Sequence, residues 1–140
     1  MKQVYRAPLV PSYLPRPIAP DCLRAGFPSP AQDYEEATLD INEYLIDNPP
    51  ATFFFRLKGV SMVEFGLLDD DILVVNRAID PQDGHFVVAF VNGERLCKKL
   101  CMKEDGPWLV AGSPDFAPIK MNEDSIVWGV VTGRFAKVKA

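Results

Sequence analysis

The sequence predicts a mainly β protein with an extended N-terminal arm and one short helix. Beyond residue 51, apolar and polar residues alternate in several short runs with a period of two, which is the pattern of half-buried strands. Seven of the 13 prolines fall within residues 1–30, where fixed φ angles and missing N–H groups exclude a helix or a central strand. We therefore expect an extended arm over residues 1–30 and a globular domain over residues 31–140.

Local signals place one helix, six strands and one tight hairpin. Asp40-Ile41-Asn42-Glu43 has the form of a capping box, and the helix that it starts should end before Pro49-Pro50. Asn92-Gly93 between two apolar runs predicts a two-residue hairpin turn. The predicted strands are Thr52–Leu57, Asp71–Ala78, Phe86–Val91, Arg95–Lys103, Trp108–Ala111 and Ile126–Val138.

Composition limits the possible partners and compartment. The net charge of −4 and the pI of about 4.9 disfavour a general electrostatic contact with nucleic acid, so we expect no direct sequence-specific DNA binding. Three cysteines, an odd number, suit a reducing compartment. The longest apolar run, Phe86–Val91, is too short to cross a bilayer, and we expect a cytoplasmic protein without membrane contact.

Lys98 is a charged residue at a strand position where alternation calls for an apolar one. Lys99 falls on the polar face of the predicted strand, whereas Lys98 falls on the face of Leu96, Leu100 and Met102. Burial disfavours the ammonium form and can lower the pKa of a lysine by roughly 3–5 units. Lys98 is therefore either a general base or an edge-strand lysine whose amine reaches water.

Ser61 is the candidate nucleophile, in the segment Gly59-Val60-Ser61-Met62 directly after the first long strand. A serine near a glycine at a strand end can lie on a tight turn that presents its hydroxyl together with backbone N–H groups. The hydroxyl would attack, and the N–H groups of Val60 and Ser61 would stabilise the oxyanion. Ser–Lys pairs are a known hydrolytic dyad, although most loop serines have no chemical role, and the sequence separation of the two residues does not bring them together.

Five short motifs, in order and with consistent spacing, resemble the UmuD proteins, the error-prone repair members of the LexA-type self-cleaving serine peptidases. The resemblance extends from about residue 22 to residue 138. The motifs are Ala25-Gly26-Phe27-Pro28-Ser29-Pro30-Ala31, Gly59-x-Ser61-Met62, Asp69-x-Asp71-x-Leu73-Val74-Val75, Gly84-x-x-Val87-Val88-Ala89 and Lys98-Lys99-Leu100.

The resemblance implies a β-clip-like peptidase fold and a role for each site residue. The family nucleophile falls on Ser61 and the family general base on Lys98, while the self-cleavage bond falls on Ala25–Gly26. Small residues at this bond suit the reaction, because the hydroxyl must come within about 3–3.5 Å of the bond that it attacks. No cofactor is expected.

The resemblance also implies the partners. Family members form homodimers, and a RecA filament on single-stranded DNA stimulates their self-cleavage. The shortened product, here residues 26–140, joins a UmuC-type lesion-bypass polymerase. The chain is thus expected to become the accessory subunit of an error-prone translesion DNA polymerase in the DNA-damage (SOS) response.

Three alternatives remain at this point. A dimeric binding module without proteolysis would regulate a lesion-bypass polymerase with the same fold. A signal-peptidase-like protease shares the Ser/Lys dyad, but the expected absence of a membrane anchor disfavours it. A LexA-type or phage repressor carries a helix-turn-helix domain before the cleavage bond, for which about 25 proline-rich residues leave too little room.

The sequence departs from the family pattern at three positions. Asp70 replaces the glycine of the usual Asp-Gly-Asp turn and so loses a residue that tolerates positive φ. Asn76 stands where aspartate is common, and His85 stands where aspartate or serine is more usual. None of these positions is a predicted catalytic residue.

Metal binding is not expected. We interpret Asp69-Asp70-Asp71 as a solvated acidic turn, because one tight turn rarely supplies a full oxygen cage. Cys97 and Cys101 share a strand face and are interpreted as packing thiols, since His85 is the only histidine available to complete a zinc site.

Overall fold

The structure is a computed structural model that describes residues 4–6, 12–19, 23, 25–26 and 37–139. Within these residues the chain forms one α-helix, α1 (Ile41–Leu45), and ten strands. The strands are β1 Val4–Arg6, β2 Arg16–Ile18, β3 Ala37–Leu39, β4 Thr52–Arg56, β5 Ile72–Asn76, β6 Phe86–Val91, β7 Glu94–Lys103, β8 Gly106–Val110, β9 Ile119–Lys120 and β10 Ile126–Phe135. The mainly β class predicted from the sequence is confirmed.

The six predicted strands correspond to β4–β8 and β10. The bounds of β6 agree at both ends, while β10 ends three residues earlier than predicted, at Phe135. Four strands of two or three residues, β1–β3 and β9, were not predicted, because so few positions give no readable alternation. Two of them, β1 and β2, lie within the proline-rich arm, and β1 is at an edge of its sheet.

Local capping and turn signals are confirmed. The side chain of Asp40 accepts a hydrogen bond from the N–H of Glu43 at 2.9 Å, and α1 ends at Leu45, before the two prolines. Between β6 and β7, Asn92 and Gly93 have φ angles of 51° and 80°, as a type I′ hairpin turn requires.

The strands that the structure describes form two antiparallel sheets. The larger sheet has the order β1-β4-β5-β10-β6-β7-β8-β9, and the smaller one pairs β2 with β3. The last strand of the chain, β10, lies between β5 and β6 and hydrogen-bonds to both. It therefore joins the half of the sheet that contains β4 and β5 to the half that contains β6, β7 and β8.

Two apolar clusters make up the core, one on each side of the strands that they share. Successive residues of β6 point to opposite clusters, since Val87 belongs to one and Val88 to the other. The first cluster contains Phe55, Leu57, Met62, Leu67, Leu73, Val75 and Val88. The second contains Val87, Ala89, Val91, Leu100, Leu109 and Val130. Because Met62 follows Ser61 directly, the first cluster anchors the candidate nucleophile turn.

Candidate active site

Three features fix the turn that carries Ser61: a glycine with a positive φ, a buried methionine and a hydrogen bond to an aspartate. Gly59 has a φ of 100°, a conformation that a residue with a Cβ adopts only with strain. Its N–H donates to Oδ1 of Asp69 at 2.7 Å, and the N–H of Val63 donates to the carbonyl of Val60 at 3.2 Å. Met62 is fully buried in the first core cluster. The turn is thus fixed on both sides of Ser61.

The polar groups of this turn are available for chemistry. Ser61 is half-buried and Val60 is exposed. In the part of the chain that the structure describes, neither the Ser61 hydroxyl nor the backbone N–H groups of Val60 and Ser61 make a hydrogen bond. A nucleophilic hydroxyl and a pair of oxyanion donors need this availability, because each must engage the substrate instead.

Lys98 is buried on β7, as the alternation predicted. Only 8% of its surface is exposed, and it lies opposite Val87, whose surface is fully buried. The Nζ of Lys98 lies 5.2 Å from the ring centre of Phe116, which belongs to the loop after β8. The strand leaves the core before Met102, which is largely exposed.

The opposite face of β7 is not the polar face that the sequence predicted. Lys99 is half-buried with its Nζ 5.1 Å from the ring centre of Phe65, and Cys97 packs against the first core cluster. The prediction was wrong because both faces of this strand are covered. Lys98 is nevertheless the more deeply buried of the two lysines.

Aromatic contacts join the Ser61 turn to the strand of Lys98. Phe65 ends the 3₁₀ helix Val63–Phe65 that follows the turn, and its ring lies 5.5 Å from that of Phe86. Phe86 is the cross-strand partner of Lys99, and the next pair along the ladder is Val87 with Lys98. These contacts bring the turn to the face of β7 that carries Lys99, and Lys98 is the neighbouring residue on that strand.

Gly112 provides a second link between the turn and the sheet. Its N–H donates to the carbonyl of Ser61 at 2.6 Å, and its own carbonyl accepts from the N–H of Glu64 at 2.9 Å. Gly112 follows β8, whose last residue, Val110, pairs with Lys99 of β7. The backbone of the candidate nucleophile is thus bonded to the end of the strand that neighbours the candidate base.

Some of the predicted site residues are not in contact with one another in this structure. The Ser61 hydroxyl makes no hydrogen bond to Lys98. Ala25 and Gly26 are exposed in a bend, and a Cβ built on Gly26 would have no atom within 4 Å. The rest of the cleavage motif, residues 27–31, lies outside the described residues. The assignment of the cleavage bond therefore stays a prediction.

The acidic turn is only partly solvated, which corrects the sequence interpretation. Asp71 is 1% exposed; its carboxylate accepts from the N–H of Leu68 at 2.8 Å and from Nε of Arg134 at 2.6 Å. The prediction failed because the arginine that binds Asp71 lies on β10, far from this turn in the sequence. Since Asp71 also accepts from the N–H of Leu57 through its backbone carbonyl, this residue closes the base of the loop that carries Ser61.

Asp70 occupies the position of the missing glycine and adopts the glycine-like conformation, with a φ of 73°. Hydrogen bonds from Lys58 and Arg56 hold the pKa of this exposed carboxylate below its usual value of 3.8. Because the folded pKa is lowered, the stabilisation is present above pH 3.8 and is lost as the pH falls through the folded value. Screening by solvent and salt keeps this contribution small.

We expect Gly112→Ala to disturb the Ser61 turn. A Cβ at this position would lie 2.8 Å from Cδ2, 3.0 Å from Cγ and 3.1 Å from the backbone N of Phe65. Overpacking of this kind typically costs about 1–3 kcal/mol, and it would push the turn away from β8. The expected result is an unfolding free energy lower by that amount, measured in urea, together with self-cleavage at least about tenfold slower.

Phe65→Ala provides the matched background for this test. Removing the ring takes away the two closest contacts and leaves only the backbone contact, so alanine at position 112 should cost less in the Phe65→Ala chain than in the parent. Equal costs in the two backgrounds would show that the ring contact is not the cause.

The described residues were also considered as metal ligands. Among them, no group of three or more His, Cys, Asp or Glu side chains is placed to hold a metal ion. Cys97 and Cys101 are half-buried and are not in a disulfide. No helix in the described ranges is long and apolar enough to cross a membrane.

The mainly β fold is consistent with a class of self-cleaving peptidases. The sequence pattern of the family described as "Peptidase S24-like" matches residues 17–132. The chain therefore belongs to the S24 family of self-cleaving serine peptidases, and within that family to the UmuD-like proteins.

Three relatives illustrate this placement. The chain is 44% identical over 138 residues to Protein ImpA of Escherichia coli, with 94% of this chain and 93% of that protein covered. It is 39% identical over 126 residues to Protein MucA of Escherichia coli, with coverage of 88% and 82%. It is also 40% identical over 116 residues to the LexA repressor of Acidithiobacillus ferrooxidans, covering 78% of this chain and 55% of that protein. These relatives agree with the family assignment.

Proposed function

We propose that the chain cuts itself between Ala25 and Gly26, with Ser61 as nucleophile and Lys98 as general base. The observation that carries this proposal is the burial of Lys98, 8% exposed, on the strand that adjoins the Ser61 turn. Burial disfavours the charged ammonium form and so favours the neutral amine that a general base requires. The family of the chain supplies the reaction class.

The proposed reaction uses groups of this chain at each step. Nζ of Lys98 takes the proton of the Ser61 hydroxyl as Oγ attacks the carbonyl carbon of Ala25. The N–H groups of Val60 and Ser61 stabilise the oxyanion that forms. The bond to Gly26 then breaks, and the new amine leaves with the proton held by Lys98. Water, deprotonated by the same lysine, hydrolyses the Ala25 ester and restores the serine.

Cleavage is expected to be conditional. The bond at Ala25–Gly26 is exposed rather than packed against the turn, and the Ser61 hydroxyl has no hydrogen bond to Lys98 before the substrate arrives. Catalytic hydrogen bonds often tighten only when the substrate is bound. An external protein that holds the arm in the site would therefore accelerate the reaction, and we propose that a RecA filament on single-stranded DNA does so.

The biological role follows from this chemistry and from the family. We propose that the chain is a homodimer and that the product, residues 26–140, is the accessory subunit of a UmuC-type translesion polymerase. Similarity to Protein ImpA and Protein MucA over most of both chains supports a role in SOS mutagenesis.

Mass spectrometry of the intact chain tests the proposal. Incubation with RecA, an ATP analogue and single-stranded DNA is expected to produce a fragment that begins at Gly26, and reactions without DNA should produce it far more slowly. An intact chain under all conditions would favour the alternative, a dimeric module that binds a lesion-bypass polymerase without proteolysis. Cleavage at another bond would contradict the site assignment alone.

A further inference from the structure

Strand β1 covers an edge of the main sheet that would otherwise be open. Val4, Tyr5 and Arg6 pair antiparallel with Phe55, Phe54 and Phe53 of β4. The other side of β4 is paired with β5. Among the strands that the structure describes, β1 is thus the outermost one on this side of the main sheet, and β4 becomes the edge strand wherever β1 is absent.

The composition of β4 makes an open edge unfavourable. From Thr52 to Phe55 the strand contains a threonine and three phenylalanines, without proline or charge before Arg56. An unpaired strand of this kind presents free N–H and C=O groups beside aromatic side chains, and it readily pairs with another extended chain. Natural proteins cover such edges or protect them with charge.

The proposed cleavage would remove that cover. β1 ends at Arg6, well before the Ala25–Gly26 bond, so the product that starts at Gly26 has no β1. We infer that the vacated edge of β4 is a docking site for an extended, apolar segment of a partner protein, which pairs antiparallel with β4 in place of β1. This inference rests on the proposed self-cleavage, although the edge itself can be tested without it.

A cavity beside the edge indicates the chemistry of the segment. The cavity, of about 610 Å³, is lined by Phe54 and Arg56 of β4 and by further residues that include Ile72 and Phe135. Its four charged residues are two of each sign, Asp69, Asp70, Arg56 and Lys137. β1 runs antiparallel to β4 and places Val4 opposite Phe55. In a strand bound in the same way, the residue before the one opposite Phe55 therefore lies opposite Arg56, which lines this cavity. An uncharged apolar side chain therefore fits better there than a charged one.

A second copy of the chain suits this edge less well. In a symmetrical pairing of two β4 strands about Phe54, the residues opposite Arg56 and beyond would be Thr52 and then the 3₁₀ turn Pro49–Ala51. That turn is not extended, and two of its residues are prolines that have no N–H to donate. A flexible extended segment has neither restriction.

The test opens the edge in the full chain without cleavage. In a Ser61→Ala background, Val4→Pro and Tyr5→Pro are introduced together; since N–H groups of adjacent strand residues point in opposite directions, one of the two prolines must remove a donor to β4. The probe is a synthetic peptide with the sequence of residues 1–8, added to isotopically labelled protein.

Saturable shifts of the Phe53–Phe55 amide signals are expected in the double-proline chain, at a peptide concentration at least tenfold lower than in the Ser61→Ala parent. A control peptide with proline at positions 4 and 5 should not bind. Folding of the variant is checked by its thermal transition, and opening of the edge by faster hydrogen exchange in β4.

Two results would overturn the inference. If β4 opens but the peptide does not bind, the edge is not a docking site for an extended segment. If the opened chain self-associates through β4 and the peptide cannot compete, the occupant is a second copy instead. Neither result depends on catalysis, so failure of the parent chain to cleave would contradict the proposed function while leaving this test intact.

Discussion

Replacement of Ser61 by alanine is expected to abolish self-cleavage, with a rate at least on the order of 10³-fold lower than that of the parent. The reason is the loss of the attacking oxygen, which no other described group of the turn can replace. The fold should persist, because the side chain of Ser61 makes no hydrogen bond with any residue that the structure describes. The fragment that begins at Gly26 is quantified by mass spectrometry, and the thermal transition reports folding.

Lys98→Met should give the same loss, because it removes the base while it keeps an unbranched side chain of similar length in a buried position. Lys99→Met is the matched control: it changes the neighbouring lysine, which points to the opposite face, and it should leave cleavage largely intact. Normal cleavage in either Ser61→Ala or Lys98→Met would remove the dyad from consideration.

The cleavage rate of the parent should also rise with pH, since Lys98 accepts a proton only in its neutral form. A cleavage rate that does not change between about pH 6 and pH 10 would count against a lysine base, because the neutral fraction of a lysine side chain rises over that range.

Asp71→Ala is expected to give the largest loss of stability among the acidic residues near the site. The substitution leaves the Arg134 guanidinium and the N–H of Leu68 without their acceptor. Breaking a buried ion pair costs about 3–5 kcal/mol, and the 41% exposure of Arg134 reduces the expectation to about 2–3 kcal/mol. Urea denaturation at pH 7 measures this change.

Asp70→Asn is the matched control at the neighbouring position. Asparagine tolerates the positive φ of this residue, so the substitution removes only the exposed ion pairs with Arg56 and Lys58. Its effect should be much smaller than that of Asp71→Ala and should shrink further in high salt. Similar losses at the two positions would mean that burial of Asp71 is not what makes it important.

The alternation of apolar and polar residues in the sequence was sufficient to predict the long strands and the burial of Lys98. Apolar and polar residues alternate with a period of two wherever the two faces of a strand lie in different environments, and β4–β8 are long enough to show this alternation. It failed for Lys99, since alternation separates two faces but cannot reveal that apolar groups cover both. The short strands β1–β3 and β9 have too few residues for any period.

The links that position the site depend on contacts between distant residues. Gly112 bonds to Ser61, and Arg134 to Asp71, across long stretches of chain, and no local signal marks either pair. Gly112 is an ordinary loop glycine in the sequence; its importance is visible only where a Cβ would meet Phe65. A positive φ at Asp70 was suggested by the glycine that it replaces, and the structure shows that conformation.

The central position of β10 has a consequence for the timing of the reaction during protein synthesis. The half of the sheet that holds the Ser61 turn and the half that holds Lys98 are joined by residues 126–135, which the ribosome adds after both of them. A nascent chain that already contains the arm, the serine and the lysine still lacks the strand that pairs with both β5 and β6. With the proposed mechanism, self-cleavage is therefore expected only after β10 has been synthesised.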